Sequence, residues 1–500
     1  MIAATVVAAV LRFFRLGAQS LWIDEVLTWA SANPGGPLSA RDLLENVHGP
    51  LYALIVHAAA AVAPRSEWAL RLPSALAGVL AVPALAWLAA RWLGRSCAGW
   101  AAWLAACSPF WIWYSQEARP YAMLMLMVCV SGALVLGAAR DAARPRVLAA
   151  ASASAAGLLV APSFAFVLPV HLRWWLEDRA ARARRLRTAG LGALLLAALG
   201  LPWVPQALRT WDWQRLHPLR AAAPGEASLR GTTTFHAAAI PFALHAMAVG
   251  YTLGPPLRAL RAGDPAGEMW RHWREVAAVV AVFAPLGLLG LAALKRRGRL
   301  IDATLWMAVP AMLVSYFALR NVKVFHPRYL AVAMPAFLLV LAAGFADARR
   351  RWAATFALGI AALWGLSLVH HFTVPAYGKE DSRGAARWVA ARGRAGERVL
   401  LLGATEVVFH YYRGPLRAEE FWLGFASDPA RLERELAAAL AGAGGAWLIL
   451  SRGEDLDPGD ALGAYLARRF PDAERSVFEG VRVWHLDGQD VARLEAAPAH

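Results

Sequence analysis

The chain has 500 residues, 59% of them hydrophobic, with 23 Trp and a formal net charge of +16 at pH 7. A soluble domain is about 45–50% apolar; here the excess is gathered into long uncharged runs separated by short charged clusters, the pattern of a polytopic membrane protein. The arginines cluster at the ends of those runs, where the positive-inside rule puts them, so the charge excludes a nucleic-acid partner. Abundant Ala and Arg also fit a GC-rich genome. Cys97, Cys107 and Cys129 fall in apolar runs without metal-ligand spacing and say nothing about redox compartment.

Met1–Leu16 lacks a basic start and a small-residue cleavage site, so it reads as a short first span and not as a signal peptide. It is barely long enough, with Arg12 and Arg15 near its outer end, which leaves the start of the chain open to truncation. Leu21-Trp22-Ile23-Asp24-Glu25 follows, with two adjacent carboxylates beside a membrane, a costly placement that marks a functional candidate. A carboxylate there can act as a general base or hold a divalent cation. Asp24 ahead of Val26-Leu27 fits a helix cap equally well, and Glu25 fits a solvated neighbour or a support. His48-Gly49-Pro50-Leu51-Tyr52 then opens Gly49–Pro64, read as a helix lying in the interface.

The uncharged runs able to cross are Leu72–Ala90, Ser96–Gln116, Pro120–Ala139, Val147–Leu172, Thr188–Leu208, Val276–Leu294, Ala303–Leu319, Tyr329–Ala346 and Trp352–His371, since a span takes about 20 residues. Arg91/Arg95, Arg140/Arg144/Arg146, Arg179 through Arg187, Lys295 through Arg299 and Arg349-Arg350-Arg351 mark the cytoplasmic side. Basic clusters at both ends require Val147–Leu172 to cross twice, with Pro162 as the turn. The same parity keeps His236–Gly254 in the outer interface, ahead of a turn at Tyr251–Pro255. The count is about 11 spans, N-terminus inside and C-terminus outside. Residues 17–71, 115–121, 209–275, 320–328 and 372–500 then share the outer face.

Two more polar stretches fall on that face. Ser115-Gln116-Glu117-Ala118-Arg119-Pro120-Tyr121 pairs an acid with an arginine whose planar fork suits a phosphate; an ordinary interfacial ion pair inside an aromatic belt is the plainer reading. Asn321-Val322-Lys323-Val324-Phe325-His326-Pro327-Arg328-Tyr329 is basic, against expectation for an outer loop, and fits either headgroup contact or an anion site. His57, His245 and His370-His371 read as packed or interfacial. From Pro375 onward the character changes. Arg383–Arg392, Arg431–Leu440 and Ala461–Phe470 read as helices, Arg398–Gly403, Ala446–Leu450 and Val481–Leu486 as strands, which together suggest a small α/β domain. It carries no glycine fingerprint, Cys/His cluster or triad spacing.

The ordered series Leu21–Glu25, Gly49–Tyr52, Arg71-Leu72-Pro73-Ser74-Ala75-Leu76-Ala77-Gly78 and Gln116–Tyr121 resembles the N-terminal half of GT-C glycosyltransferases, closest to the protein O-mannosyltransferase and lipid A aminoarabinose transferase group. His326-Pro327-Arg328-Tyr329 fits the later half less specifically. The resemblance implies a polytopic GT-C membrane domain over 1–374 and an extracytoplasmic α/β domain over 375–500. It implies transfer of a sugar from a polyprenyl-phosphate carrier to a lipid, glycan or protein hydroxyl at the outer face of a bacterial cytoplasmic membrane. The family's catalytic acid maps onto Asp24 and its second acidic position onto Glu117. Metal use varies within the family, so a divalent cation (Mg, Mn or Zn) on Asp24 and Glu117 stays open.

The chemistry fits that placement. Departure of the carrier puts charge on phosphate, which Arg119, Arg328, Lys323 and His326 would stabilise, while Asp24 takes the acceptor proton with Glu25 and Glu117 assisting. His48, Tyr52 and Tyr121 would position substrate, and single displacement would invert the anomeric carbon. A transporter or flippase of lipid-linked sugars is the alternative; it predicts charges buried in mid-span and inverted repeats, whereas the runs are almost charge-free at their centres and show no repeat. A non-catalytic scaffold leaves the acids and bases on one face unexplained.

Overall fold

Prolines and serines decide where the apolar runs become helices. The computed structural model describes residues 1–33, 36–39, 42–43, 49–63, 65–141, 143–177, 235, 238–261, 265–320, 322–403, 406–414, 419–424, 429–451 and 461–495. The run Thr188–Leu208, His48 and Asn321 lie outside them. In chain order the helices begin α1 (Ile2–Phe13), α2 (Ile23–Ser31), α3 (Pro50–Val62), α4 (Glu67–Trp92), α5 (Arg95–Cys107), α6 (Pro109–Ser115), α7 (Tyr121–Arg140), α8 (Arg144–Val160) and α9 (Leu168–Leu176). They continue with α10 (Ala239–Val249), α11 (Leu257–Arg261), α12 (Pro265–Arg271), α13 (Trp273–Arg296), α14 (Leu300–Leu319), α15 (Met334–Asp347) and α16 (Arg350–Thr373). The last are α17 (Ser382–Arg392), α18 (Glu406–Tyr412), α19 (Pro429–Leu440), α20 (Ala461–Arg469) and α21 (Gly488–Glu495).

Among the described residues six segments are long and apolar enough to cross a membrane: α4, α7, α13, α14, Pro327–Asp347 and α16. Each coincides with a predicted run. The run Ser96–Gln116 is instead two helices. Pro109 ends α5 and starts α6, and the Ser108 hydroxyl caps the new start by accepting from the Trp111 amide at 3.3 Å. The break leaves the last carbonyls of α5 without helical partners. Arg12, buried in α1, donates to two of them, Ala105 (2.8 Å) and Ala106 (2.9 Å). The run Val147–Leu172 also breaks where expected: α8 stops at Val160, Pro162 opens a short 3₁₀ turn, and α9 follows.

The chain forms two compact units. The first comprises Met1–Leu16, Ser31–Leu253 and Arg274–Leu368; the second comprises Gly17–Ala30, Gly254–Trp273 and Val369–His500. The contiguous boundary at 374/375 expected from sequence thus differs from the compact units, because two earlier stretches join the C-terminal one.

The first unit is a helical bundle with two chemically distinct ends. At one end Arg91 donates to the Ala133 carbonyl (2.9 Å), Arg140 to the Arg91 carbonyl (2.6 Å) and Arg297 to the Leu93 carbonyl (2.9 Å). Asp302, buried in the first turn of α14, accepts there from Arg173 Nε (2.5 Å), Trp174 Nε1 (3.0 Å) and Trp92 Nε1 (3.3 Å). Since Trp92 ends α4, Arg140 ends α7 and Asp302 begins α14, the starts of α4 and α7 and the end of α14 lie at the other end. Helix α9 reaches the arginine end after α8 has left it; the Gly49 amide meets the Val160 carbonyl at 3.1 Å, and Phe166 rests on Phe317 near the end of α14. The chain therefore turns back at Pro162, where the sequence places a turn. Close backbone approach sets the packing elsewhere: a Cβ added to Gly290 of α13 would sit 2.0 Å from the Val340 carbonyl oxygen of α15, the role of small residues between membrane helices.

The second unit holds a five-stranded mixed sheet of β1 (Arg398–Gly403), β2 (Glu419–Gly424), β3 (Ala446–Ser451), β4 (Glu474–Phe478) and β5 (Val481–Leu486), in the order β2-β1-β3-β5-β4. β1 pairs in parallel with β2 and β3; β5 runs antiparallel to β3 and β4. The register sets Leu400 beside Leu448 and Leu448 beside Trp484. One face buries these against Leu436, Leu440, Leu466 and Phe470, the other buries Val399, Leu401, Ile449 and Val483 against Ala385, Val389 and Phe409. Continuous apolar strands covered by helices on both faces are the α/β pattern.

Candidate active site

In the first unit the segment 115–121 lies at the end of the bundle opposite the arginine cluster, and several anchors hold it. The Gln116 amide nitrogen donates to the carbonyls of Leu11 (3.3 Å), Arg12 (3.1 Å) and Phe14 (2.8 Å), satisfying the C-terminal carbonyls of α1. Ser115 receives Arg12 Nε at 3.2 Å. The Arg119 amide closes a tight turn onto the Glu117 carbonyl (2.8 Å), and the Arg119 carbonyl accepts from Ser74 Oγ at 3.0 Å. Ser74 is in turn bonded to Tyr52 Oη at 3.2 Å. Tyr52 therefore reaches Arg119 from beneath, through its backbone.

Glu117 and Arg119 are both buried. Arg119 is hydrogen bonded to Tyr121, with its guanidinium carbon 5.8 Å from that ring. Arg328, also buried, opens the 3₁₀ turn Pro327–Ala333, lies 5.2 Å over the Tyr329 ring and directs a terminal nitrogen to Tyr329 Oη at 3.4 Å. His326 caps that turn: its Nδ1 accepts the Arg328 amide at 3.1 Å. Exposed Lys323 stands 5.6 Å from the same Tyr329 ring.

Two tyrosines tie these stretches together. Tyr114 and Tyr251 share a hydroxyl–hydroxyl bond of 2.6 Å, and the Tyr251 ring lies 5.9 Å from His326. Both feel the charges of Glu117 and Arg328. Burial pushes the Tyr251 phenol well up, the bond to Tyr114 opposes this, Glu117 raises it further and Arg328 lowers it, so Tyr251 stays a neutral donor. Gly250 makes the fit possible. Its φ of +77° is in the left-handed region, and a Cβ there would stand 3.0 Å from Pro109 Cβ. The structure thus gathers Glu117, Arg119, Tyr121, His326 and Arg328, with Lys323 alongside Tyr329. Sequence reasoning read Tyr114 as part of an aromatic belt and Tyr251 as part of a turn; the signal that both touch one cluster is tertiary.

In the second unit Asp24 and Glu25 occupy the first turn of α2, where the helix N-terminus favours acidic side chains. Asp24 is half-buried, and its carbonyl accepts from Thr28 Oγ1 at 2.8 Å. Glu25 is fully buried and forms an ion pair with Lys379 at 2.9 Å. Its carboxylate also reaches back to the Trp22 amide at 3.4 Å, half of a capping box. Of the other histidines, His57 meets the Ala32 carbonyl (2.8 Å), His245 the Leu253 carbonyl (2.8 Å), and His370 stacks on Tyr377. Among the described residues no three His, Cys, Asp or Glu side chains gather as a cation cage.

Residues 47–205 match the model of the dolichyl-phosphate-mannose-protein mannosyltransferase family. The match spans Gly49–Tyr52, Arg71–Gly78 and Gln116–Tyr121. The crystal structure of ArnT from Cupriavidus metallidurans in the apo state is similar over 99% of this chain and 98% of that one, at 15% identity and a TM-score of 0.59. ArnT bound to undecaprenyl phosphate aligns over 99% of both chains, at 16% identity and a TM-score of 0.57. The archaeal oligosaccharyltransferase AglB from Archaeoglobus fulgidus, in complex with an inhibitory peptide and a dolichol-phosphate, aligns over 89% of this chain and 68% of that one, at 11% identity and a TM-score of 0.52. No curated protein matches in sequence. The fold is that of the GT-C membrane glycosyltransferases, the resemblance read from the motifs stands, and the chain is a multi-pass membrane protein.

Proposed function

We propose that this protein transfers a sugar from a polyprenyl-phosphate carrier to an acceptor hydroxyl at the outer face of a bacterial cytoplasmic membrane, with inversion at the anomeric carbon. The observation that carries the reading is the burial of Arg119 and Arg328 in one tyrosine-lined cluster with Glu117, at the end of the bundle away from the cytoplasm-marking arginines. Two guanidiniums gathered with one carboxylate leave the cluster net positive, which favours an incoming anion. A phosphate on a membrane-anchored lipid supplies one, and undecaprenyl phosphate is the ligand of a structure with the same fold.

The acceptor oxygen attacks the anomeric carbon while Asp24 takes its proton. The bond to the phosphate oxygen breaks, and the electron pair leaves with the carrier phosphate. Arg119 and Arg328 stabilise the added charge, with Lys323 and His326 at its edge, because forked donors in a dry site gain strength as that charge develops. Glu117 orients the donors and Tyr121 holds Arg119. Glu25 supports Asp24, Tyr52 holds the Arg119 backbone through Ser74, and His48 is assigned to substrate positioning. In this reading the C-terminal part of the chain is extracytoplasmic.

The polyprenyl-phosphate glycolipid fraction of the source cells, offered as donor to membranes of a deletion strain, tests this. The wild-type protein is expected to restore a glycosylated product absent from the deletion strain. Loss of the carrier lipid's sugar with no new glycoside, or movement of intact glycolipid across the bilayer, would contradict transfer. Reporters fused after Arg187 and after Tyr377 are expected to read cytoplasmic and external; the opposite signals would contradict the sidedness.

A further inference from the structure

We propose that Lys379 is a positioning residue for the transfer reaction, and that the segment following the last long helix, residues 374–384, exists to hold the acid-bearing segment Gly17–Ala30. This rests on Asp24 being the base. It gives the C-terminal part of the chain a task in holding the acid-bearing segment.

The stretch leading into Asp24, Gly17–Leu21, is fixed from that part, and Trp29 beyond it packs on the same part. Arg383 donates to the carbonyls of Gly17 (3.3 Å) and Ala18, and its amide donates to Ser20 Oγ at 3.2 Å. Ser20 donates to Asp381 at 3.0 Å, and the Lys379 amide donates to Gln19 Oε1 at 3.3 Å. The Leu21 amide donates to Tyr412 Oη at 2.7 Å, and Trp29 meets the edge of Tyr411 with ring centres 4.9 Å apart. Asp381 also caps α17 through the Gly384 amide (2.9 Å) and donates its own amide to the Glu479 carbonyl (2.7 Å), which ties this bracket to the sheet.

The Lys379–Glu25 pair is the innermost of these bonds, its side chains 9% and 0% exposed. It acts on the residue beside Asp24 and at the helix turn that carries it. Glu25 Oε2 receives Lys379 Nζ and the Trp22 amide together, so the cation fixes the carboxylate that fixes the first turn of α2. Without Lys379, a buried carboxylate loses a charge partner 2.9 Å away, which favours its protonation or withdrawal. Either outcome frees the turn and shifts the carboxylate of the neighbouring Asp24. A base displaced by about 1 Å loses on the order of 10²-fold in turnover, while donor binding by other residues is untouched.

Lys379→Met, Lys379→Arg and Glu25→Gln are each purified in detergent, checked for amount and monodispersity, and assayed with the extracted polyprenyl-phosphate glycolipid fraction and deletion-strain membranes. The expected result is a fall in kcat of about 10²-fold for Lys379→Met, a similar fall for Glu25→Gln, donor half-saturation within about twofold, and substantial retention in Lys379→Arg. The double variant Glu25→Gln/Lys379→Met should be no worse than the poorer single variant, because both break one link. If Lys379→Met does not accumulate, the Arg and Gln variants carry the test. Full kcat in Lys379→Met or Glu25→Gln, or a loss lying wholly in half-saturation, overturns the proposal. A wild-type protein that forms no product overturns the glycosyltransferase reading, a different failure.

Discussion

At the Asp302 end of the helical unit, a buried carboxylate gathers its donors to itself: Arg173, Arg299 and the indoles of Trp92 and Trp174 all face it. At the Glu117 end the cations are held differently. Arg119 and Arg328 lie over the rings of Tyr121 and Tyr329, and their backbones are fixed by Ser74 and His326. A carboxylate pairs with a guanidinium directly, whereas an aromatic face orients it. The two ends use the same residue types. The first joins α4, α9 and α14; the second gathers Glu117, Arg119 and Arg328 around Tyr114 and Tyr251, where the proposed donor phosphate would bind.

Substitutions break or sharpen that contrast. The largest effect is expected from Arg328→Ala, which should lower transfer by about 10²–10³-fold, as loss of a transition-state donor does, measured as product per folded protein. Arg328→Lys should recover only part of it, because an ammonium lacks the two-pronged geometry. Asp302→Asn should act the other way. It leaves Arg173 and Arg299 against a neutral amide and should cost about 3 kcal/mol of stability, seen as a lower melting temperature in detergent, with the rate per surviving folded molecule unchanged. A fall in rate without a fall in stability would erase the distinction between the ends.

A smaller effect is expected from Tyr114→Phe, which strands the Tyr251 hydroxyl and should cost about 1 kcal/mol in stability or in donor half-saturation. The smallest concerns the sheet. Burial pushes the Glu397 carboxyl up, but the Arg394 amide, His485 and Trp447 outweigh it and hold it below its ordinary value of 4.5. Its stabilisation is complete above that value and is lost as pH falls through the lower folded-state value. Acid melting of the purified protein should therefore be shallower in Glu397→Gln.

Much of this was legible because charge is informative in an apolar chain. Glu117, Arg119 and Arg328 stood out as polar residues between spans, and they do share one cluster. A turn within Val147–Leu172 followed from charge parity, and the helices do break at Pro162. What hid from the sequence was made by tertiary partners. Tyr114 and Tyr251 look like interface aromatics until their hydroxyls meet. Arg12 looks like a misplaced charge until the Pro109 break leaves the carbonyls of Ala105 and Ala106 needing a donor. In the sheet, β1, β3 and β5 announced themselves as apolar runs, whereas β2 begins Glu419-Glu420 and β4 is a largely exposed edge strand whose pattern suits a loop equally well. Glu25 read as a neighbour of Asp24, and its bond to Lys379 spans most of the chain.

The central claim is that Asp24 removes the acceptor proton during transfer from a lipid phosphate. The direct measurement is product formation by wild type and Asp24→Asn at equal membrane levels, with the extracted polyprenyl-phosphate glycolipids as donor. A loss of about 10²–10⁴-fold in the variant, with carrier-lipid binding retained, is the expected result. Transfer by Asp24→Asn at the wild-type rate would contradict the account.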